Sequence, residues 1–375
     1  MKPWNVCLVL ATVLALTIAS GSVAGADPLE PFSGAPEPVT IEDVNPRLDR
    51  SENRKNEFYS EWWSFAFTLE GGYKAYVQFL STNLGPGDGK GAVVAEFGLP
   101  DGRKFRQRTE LDRKDWSWSA DRFELRFGDN TISGPLDALR IHVKNDDFEA
   151  DYALANVAPP WKPGRGVATY GASRDRYYRF ELLAPIARVD GRVKVAEDDD
   201  AISTVRGYVY ADHSASSIGM HEQALRWARF RAADPRATFV LGHIVAPAYY
   251  GERPIQFAVL FLDGKVAFQT TRFDLKTSRP WTDPKKADYG APQQLEVRAE
   301  EAGRNLRAVI RATRMTSRED FLESSGPAAA FVLSKFVKPV MYYFDAKFAV
   351  EVREEGRPPV VADGTGRYYY TIVNP

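Results

Sequence analysis

The sequence predicts an all-β protein of antiparallel strands arranged as sandwiches or barrels. Short apolar runs alternate with turn signals, and long helical patterns are absent, which is typical of antiparallel domains. Aromatic residues make up 13% of the chain, and this content suits strands better than helical bundles. At 375 residues, the chain is long enough for two domains of ordinary size.

The N-terminus has the pattern of a secretory signal peptide over residues 1–26. Lys2 supplies the positive end, residues 6–19 are apolar, and Ala24-Gly25-Ala26 is a small-residue cleavage site. We expect cleavage near Ala26 and a periplasmic or secreted mature protein. Retention of the apolar stretch as a membrane anchor is the alternative.

The composition excludes several classes of function. Cys7 is the only cysteine and lies within the signal, so the mature chain has no disulfide, cysteine-ligated zinc or cysteine nucleophile. The net charge of the full chain is −1, which gives no general attraction for nucleic acid. We therefore expect neither a nucleic-acid partner nor a cofactor.

The first predicted elements are an extended lead-in and a hairpin. Residues 27–50 are polar and rich in proline, and strands then follow at Ser60–Leu69 and Tyr73–Leu80 around a Gly71-Gly72 turn. Aromatic residues occupy both faces of this hairpin, whereas a strand over a single core carries apolar residues on one face. The pattern indicates either a second packed surface or a hydrophobic ligand.

Further strands follow in both halves of the chain. We expect them at Lys90–Leu99, Phe123–Phe127, Leu139–Val143, Phe148–Val157, Thr238–Ala246, Ile255–Leu262, Lys265–Leu275, Gln294–Arg298, Leu306–Thr313, Lys347–Arg353 and Tyr368–Val373. Asp263-Gly264 predicts a two-residue hairpin turn. The acidic run 197–200 predicts a solvated loop, with a calcium site as the alternative.

Residues 328–344 differ from the rest of the chain. The segment is strongly apolar, carries Lys335 and Lys338, and contains Pro339. It predicts a short amphipathic helix that ends at the proline. Such a helix could dock onto the mouth of a barrel, or it could make a peripheral membrane contact, because lysines beside apolar residues suit an anionic leaflet.

Asp212 and His213 are the candidate catalytic residues. Burial in an aromatic cavity would keep a carboxyl group protonated and able to donate its proton. The alternative is a structural role, in which His213 and His221 hydrogen-bond the backbone and orient the seam between domains. The chain has four histidines, but neither His-x-His nor His-Glu-x-x-His occurs, so we predict no metal site.

Glu61 lies between Ser60 and Trp62 on the first aromatic strand. A carboxylate buried there must be paired or neutral, and Arg226 and Arg229 are possible partners. It could form a structural ion pair or take part in catalysis. The residues that could line a ligand site are Glu61, Trp62, Trp63, Phe65, Phe67, Tyr76, Phe79, Tyr210, His221 and Trp227.

Several of these passages resemble one known group of proteins. Glu61-Trp62-Trp63 and its hairpin look like the opening motif of the lipocalin-like group that contains carotenoid 1,2-hydratase and the AttH proteins. Tyr210–Ser214 is similar to that group's Asp-His motif, although the usual Trp-Gly after it is here Ala215-Ser216. Gly72–Phe79 and Pro160–Gly164 look more like the yeast survival-factor branch.

The resemblance implies two tandem lipocalin-like barrels packed side by side, with few short helices. The first barrel would span residues 51–215 and the second residues 216–375. Members of the wider group include hydratases and cyclases of isoprenoid chains and proteins thought to carry lipids.

Three functions are compatible with the sequence. The main hypothesis is an exported carrier that holds a lipid or isoprenoid in a barrel lumen or at the seam between domains. The alternative is an enzyme of the carotenoid 1,2-hydratase or cyclase type, in which an acid such as Asp212 protonates a double bond and aromatic faces stabilise the cation. In the third, the aromatic residues only fill the two cores and their seam.

Overall fold

The computed structural model describes residues 27–84, 88–196, 204–323, 334 and 337–374. The described part of the chain consists mostly of antiparallel strands in two sheets, with a few single-turn helices. Sheet A contains the strands up to residue 216, and sheet B contains those from residue 226 onwards. The predicted all-β class is therefore confirmed. The predicted signal peptide and the acidic run 197–200 lie outside the described residues.

Sheet A curls into a nearly closed barrel. Its strands are β1 Leu29–Glu30, β2 Ser60–Leu69, β3 Lys74–Thr82, β4 Lys90–Gly98, β5 Lys104–Leu111, β6 Trp116–Trp118, β7 Glu124–Phe127, β8 Asn130–Ser133, β9 Arg140–Lys144, β10 Phe148–Asn156, β11 Val167–Tyr170, β12 Tyr177–Val195 and β13 Val205–Ser216. The main order is β5-β4-β3-β2-β13-β12-β10-β9-β8-β7-β6. The β6 end of this order approaches the start of β4, because the indole of Trp116 donates a hydrogen bond to the carbonyl of Gly89 at 2.8 Å.

Sheet B has the order β17-β16-β15-β14-β22-β21-β20-β19-β18. Its strands are β14 Arg226–Ala232, β15 Ala237–Val245, β16 Pro254–Leu262, β17 Lys265–Thr270, β18 Asp274–Asp283, β19 Lys286–Glu301, β20 Arg304–Asp320, β21 Val340–Glu354 and β22 Val360–Ile372. The β17 edge approaches the far side of the sheet, because Arg304 donates to the carbonyl of Ala267 at 2.7 Å. Sheet B thus also wraps around its own core.

Two predicted hairpins are confirmed, and in both the turn conformation depends on the turn residues themselves. Strands β2 and β3 pair around Gly71 and Gly72, both of which have positive φ. Asp263 and Gly264 join β16 to β17 with φ values of 47° and 76°, as the tight hairpin turn requires.

One predicted strand needs correction. The run Lys265–Leu275 is interrupted, because β17 ends at Thr270 and β18 begins at Asp274. We expect the helix predicted in 328–344 to end at Pro339, and residues 340–344 indeed belong to β21; the residues before Val337, apart from Ser334, lie outside the described part of the chain, so the helix itself stays a prediction. Within the described residues, no helix is long and apolar enough to cross a membrane.

The lead-in, residues 27–50, is more structured than the prediction of an extended segment. Strand β1 pairs with β11 of sheet A, while Asp27 donates to the carbonyl of Tyr249, which follows β15 of sheet B. A single helical turn, α1 Ile41–Val44, begins at Thr40, whose side chain caps it. The lead-in therefore contacts both sheets. A second helical turn, α2 Met220–Gln223, lies between them in the chain.

Buried apolar residues form three clusters. One fills the interior of sheet A, one fills the interior of sheet B, and the third lies at the seam between the sheets. The seam cluster combines Tyr178 and Phe180 of β12 with Ile244 and Phe257 of sheet B. Of the aromatic residues on the first hairpin, those on one face belong to the core of sheet A, whereas Trp62 and Tyr76 on the other face are half-buried.

Candidate functional site at the seam of the two sheets

Asp212 and His213 lie on opposite faces of β13. Side chains alternate along a strand, so that Ala211, His213 and Ala215 face the interior of sheet A while Tyr210 and Asp212 face the seam. The two candidate catalytic residues therefore belong to different environments.

In the interior, His213 lies between two glutamates. Its Nε2 is 2.8 Å from Glu61 Oε1 and its Nδ1 is 2.9 Å from Glu181 Oε2, and all three side chains are inaccessible to solvent. The second oxygen of Glu61 accepts hydrogen bonds from the Tyr59 hydroxyl at 2.6 Å and from the Arg47 amide at 2.9 Å. The partner of Glu61 is thus His213, and the prediction of Arg226 or Arg229 is wrong.

The charged group continues from Glu181 to the lead-in. Arg179 bridges Glu181 and Asp43 at 2.9 Å each, and Lys162 binds the other oxygen of Asp43 at 2.8 Å. Burial works against the charged form of His213, but its hydrogen bonds to Glu181 and Glu61 outweigh burial and raise the pKa of His213 above its ordinary value. These positive and negative charges alternate, so together they form a compensated cluster.

The aromatic residues predicted to hold a ligand in the interior pack against one another. The Phe67 ring stacks on Tyr152 at 4.4 Å, and Phe79 meets Phe127 edge-on at 5.4 Å. Trp63 stacks on the His213 ring at 5.1 Å, and Phe65 is fully buried beside it in the same cluster. These four predicted residues, Trp63, Phe65, Phe67 and Phe79, therefore form a core.

On the seam face, Asp212 pairs with an arginine from the other sheet. Nη2 of Arg229, on β14, lies 2.7 Å from Asp212 Oδ2 and 2.8 Å from the Tyr210 hydroxyl oxygen. The side chain of Arg229 retains 18% exposure and that of Asp212 retains 4%. The guanidinium also lies over the Phe180 ring at 4.7 Å. This arrangement groups a buried carboxylate and a buried phenol with a cation that is partly exposed.

A second arginine of β14 adjoins this group. The guanidinium of Arg231 lies over the Tyr210 ring at 4.7 Å and over the Tyr369 ring at 5.3 Å. We call Tyr210, Asp212, Arg229, Arg231 and Tyr369 the seam site.

Two further predicted residues lie on the same face of sheet A. Trp62 and Tyr76 are half-buried. Burial raises the pKa of Tyr76 to about 12, with smaller effects from the charges of Asp212 and Arg231.

An aromatic hollow adjoins the seam site. Its lining includes Phe32, Tyr178, Phe180, Trp227, Arg229 and Phe257, and its volume is about 10 Å³. That volume holds about one water molecule. Trp227, which the sequence predicts to line a ligand site, contacts Tyr178 edge-on at 5.5 Å. Both residues form part of the wall of the hollow.

The remaining histidines lie elsewhere. His221, in α2, packs against Phe58 at 5.9 Å, and burial lowers its pKa. His142 pairs with Asp151 at 2.8 Å near the surface, and burial lowers the pKa of His243 to about 4. In the part of the chain that the structure describes, no group of three or more histidine, cysteine, aspartate or glutamate residues could hold a metal ion.

Sequence reasoning missed Glu181, Arg231 and Tyr369. Glu181 lies on β12, a strand of 19 residues that was not predicted and whose pairing with β13 shifts on both sides of Ala184. Proline at position 185 lacks a backbone donor, which explains why the ladder is irregular there. Arg231 follows Trp227 and Arg229 at intervals of two, and this alternation was the available signal.

Comparison with known proteins places the fold. No protein-family model and no curated protein matches the sequence. The structure of CghA matches with a TM-score of 0.58 and 12% identity, covering 85% of this chain and 89% of that one. A putative AttH from Nitrosomonas europaea matches with a TM-score of 0.54 and 18% identity, covering 90% and 100%. Kievitone hydratase from Nectria haematococca matches with a TM-score of 0.50 and 12% identity, covering 92% and 98%.

These likenesses define the chain as a protein of two lipocalin-like β-domains. It has the fold of the AttH-type structures, which confirms the fold that the resemblance to the AttH and carotenoid 1,2-hydratase group implies. The matches do not address the yeast survival-factor branch, which stays a prediction.

Proposed function

We propose that the chain is an enzyme of the hydratase or cyclase type that acts on an apolar, unsaturated substrate at the seam site. The observation that carries this proposal is the contact of Arg229 with both Asp212 and Tyr210 beside the aromatic hollow. A base, an acid and a cation in a partly dry site are the groups that proton transfer requires. A protein of the same fold, kievitone hydratase, is named for a hydration reaction.

The hydrogen bonds assign different roles to the two oxygen groups. Asp212 Oδ2 accepts a hydrogen bond from the Arg229 guanidinium at 2.7 Å, the charge-assisted contact that a carboxylate makes with arginine. Burial is the main cause that raises the pKa of Tyr210 well above its usual value, so the phenol keeps its proton. Because Arg229 donates to the phenol oxygen, the phenol hydrogen is directed away from Arg229. Asp212 then serves as the base and Tyr210 as the hydrogen-bond donor.

These roles suit addition to a double bond that is conjugated to a carbonyl group. Asp212 takes a proton from water while the water oxygen bonds to the alkene carbon. The alkene electrons move onto the carbonyl oxygen, where the Tyr210 hydroxyl stabilises the enolate. Asp212 then returns the proton to the neighbouring carbon, so the net change is the addition of one water. A hydroxyl of the substrate in place of water would close a ring by the same steps.

The carrier hypothesis has less support from the packing. The residues expected to line a lumen in sheet A fill it with their own rings, and the hollow at the seam has a volume of about 10 Å³. An apolar substrate would therefore lie on the open side of the seam, against half-buried Trp62 and Tyr76. Mass spectrometry of an organic extract of the purified protein tests the carrier hypothesis directly.

The proposed function can be tested with conjugated isoprenoid ketones such as pseudoionone. The protein is incubated with each ketone in ¹⁸O-labelled water, and hydrated or cyclised products are identified by mass spectrometry. We expect Asp212→Asn to lower kcat/KM by about 10²- to 10⁴-fold, the usual contribution of a general base. Asp190→Asn is the matched control, because its pair with Arg206 is 72% and 67% exposed, and it should leave turnover unchanged.

Two results would count against the proposal. Turnover by Asp212→Asn at the wild-type rate would remove the carboxylate from the mechanism. Failure of the folded wild type to convert any conjugated ketone of the panel, together with recovery of a bound lipid from the extract, would favour the carrier instead.

A further inference from the structure

In the part of the chain that the structure describes, Arg231 is a cation without a carboxylate at ion-pair distance, although the charge of Asp212 acts on it from further away. Its guanidinium lies over the rings of Tyr210 and Tyr369, at 4.7 and 5.3 Å from their centroids. Among the residues that the structure describes, no carboxylate forms an ion pair with it and no acceptor receives a hydrogen bond from its side chain. Ring faces attract a cation but leave its N–H groups free.

The neighbouring arginine of the same strand shows the contrast. Arg229 donates to both Asp212 and Tyr210. Arg231 is two residues further along β14, faces the same seam, and is half-buried. A planar guanidinium whose orientation is set by stacked rings is prepared to bind a carboxylate through two parallel hydrogen bonds.

We propose that Arg231 binds an anionic head group, so that the substrate of the seam site is an apolar molecule with a single carboxylate. This inference rests on the proposed function, because it assigns the substrate class of the same site. The rings of Tyr210 and Tyr369 act as positioning residues for the guanidinium. Tyr210 would thus contact the head-group arginine with its ring and the reacting carbonyl with its hydroxyl.

The order of residues along β14 supports an elongated substrate. Arg231, Arg229 and Trp227 lie at intervals of two residues on the seam face, so neighbouring positions are about 7 Å apart along the strand. A carboxylate on Arg231 would leave the next part of the chain beside Arg229 and Asp212, where addition occurs. The remainder, about 13 Å from the head group, would reach Trp227 and the aromatic hollow.

A matched pair of probes tests this inference. Geranylgeranoic acid and geranylgeraniol have the same isoprenoid chain and differ in the carboxylate. Binding to the full mature protein is measured by quenching of tryptophan fluorescence. Hydrogen bonds to a charged group are worth about 1.5–3 kcal/mol, so we expect the wild type to prefer the acid by roughly ten- to hundredfold. Arg231→Gln should remove this preference and leave the affinity for the alcohol unchanged.

The matched control is Arg206→Gln, since Arg206 is an exposed arginine whose only ion pair is with exposed Asp190 in the described part of the chain. It should keep the preference for the acid. Equal affinities for acid and alcohol, absence of binding of the acid, or an acid preference that survives Arg231→Gln would each overturn the inference. The readout does not require turnover, so an acid preference in a protein without hydration activity would count against the proposed function and not against the role of Arg231.

Discussion

The interior of sheet A and the seam are lined by opposite faces of the same strands. Charged side chains are more completely paired in the interior than at the seam. In the interior, both oxygens of Glu61 and both oxygens of Glu181 have partners, and no side chain of the central triad reaches solvent. At the seam, Arg229 remains partly exposed, and Arg231 lies over two tyrosine rings with no ion pair among the described residues. A fully compensated cluster stabilises a fold, whereas incompletely satisfied charges at the edge of solvent can bind and react.

This difference in pairing distinguishes the group around His213 from the group around Asp212, although the two residues are adjacent in the sequence. A histidine between two carboxylates resembles a catalytic arrangement, but a substrate cannot reach it without opening the core. The Asp212 group is a less familiar arrangement, but its partner Arg229 lines the hollow and is partly exposed to solvent. Accessibility therefore decides in favour of the seam.

The largest loss of stability is expected when the centre of the interior cluster is removed. His213→Leu leaves Glu61 and Glu181 facing an apolar group, and an uncompensated buried charge costs about 3–5 kcal/mol of unfolding free energy. Urea denaturation measures the loss. The control His142→Leu removes a pair near the surface, where Asp151 is 67% exposed, and should cost no more than about 1 kcal/mol. Equal costs would show that the interior cluster is not structural.

Two tyrosines test whether a hydrogen-bond partner for a buried hydroxyl group stabilises the barrel. The Tyr59 hydroxyl donates to Glu61, while the buried Tyr152 hydroxyl has no hydrogen-bond partner among the residues that the structure describes. Tyr59→Phe should lower the free energy of unfolding by about 1.5–3 kcal/mol, the worth of a hydrogen bond to a charged group. Tyr152→Phe should be neutral or stabilising, because it removes an unsatisfied polar group. Thermal and urea unfolding compare them, and a larger loss for Tyr152→Phe would contradict the assignment.

The interior cluster also predicts a pH dependence of stability. Hydrogen bonds to Glu181 and Glu61 raise the pKa of His213 in the folded state above its unfolded value of 6.5. Its stabilising contribution is then complete below pH 6.5 and is lost as the pH rises through the folded pKa. Over that range the free energy of unfolding should fall by at most about 1.4 kcal/mol per pH unit. Urea titrations of wild type and His213→Leu check this, and an identical alkaline slope in both would exclude His213 as the source.

The smallest expected effect belongs to Arg231. Arg231→Gln removes contacts with two rings and no ion pair, so the free energy of unfolding should change by about 0.5–1 kcal/mol. The same change at Arg229 leaves Asp212 without its cation and should cost about 3–5 kcal/mol. Urea denaturation of both variants compares them directly. A loss at Arg231 as large as that at Arg229 would point to a structural role.

Structural features that depend only on residues close together in the chain could be predicted from the sequence. The Gly71-Gly72 and Asp263-Gly264 turns need only their own backbone preferences, and both hairpins form as expected. The opposite orientation of Asp212 and His213 also follows from the alternation of side chains along a strand.

Partners that are distant in the chain could not be predicted. Glu61 meets His213 because β2 pairs with β13, and Glu61 lies two positions from the register partner of His213. Glu181 joins them through the pairing of β13 with β12. The meeting of Asp212 with Arg229 depends on how the two sheets pack, and no pattern within either strand specifies it.

The contacts of the lead-in with both sheets affect whether the two halves of the chain can fold separately. Strand β1 is paired within sheet A. On the side of sheet B, the Asp27 amide donates to the carbonyl of Tyr249, and Arg253 donates to the carbonyls of Asp27 and Leu29. A fragment containing one half alone would lose this brace and expose the aromatic seam to water. The two halves should therefore melt in one cooperative transition, and neither should be exchangeable as an independent module.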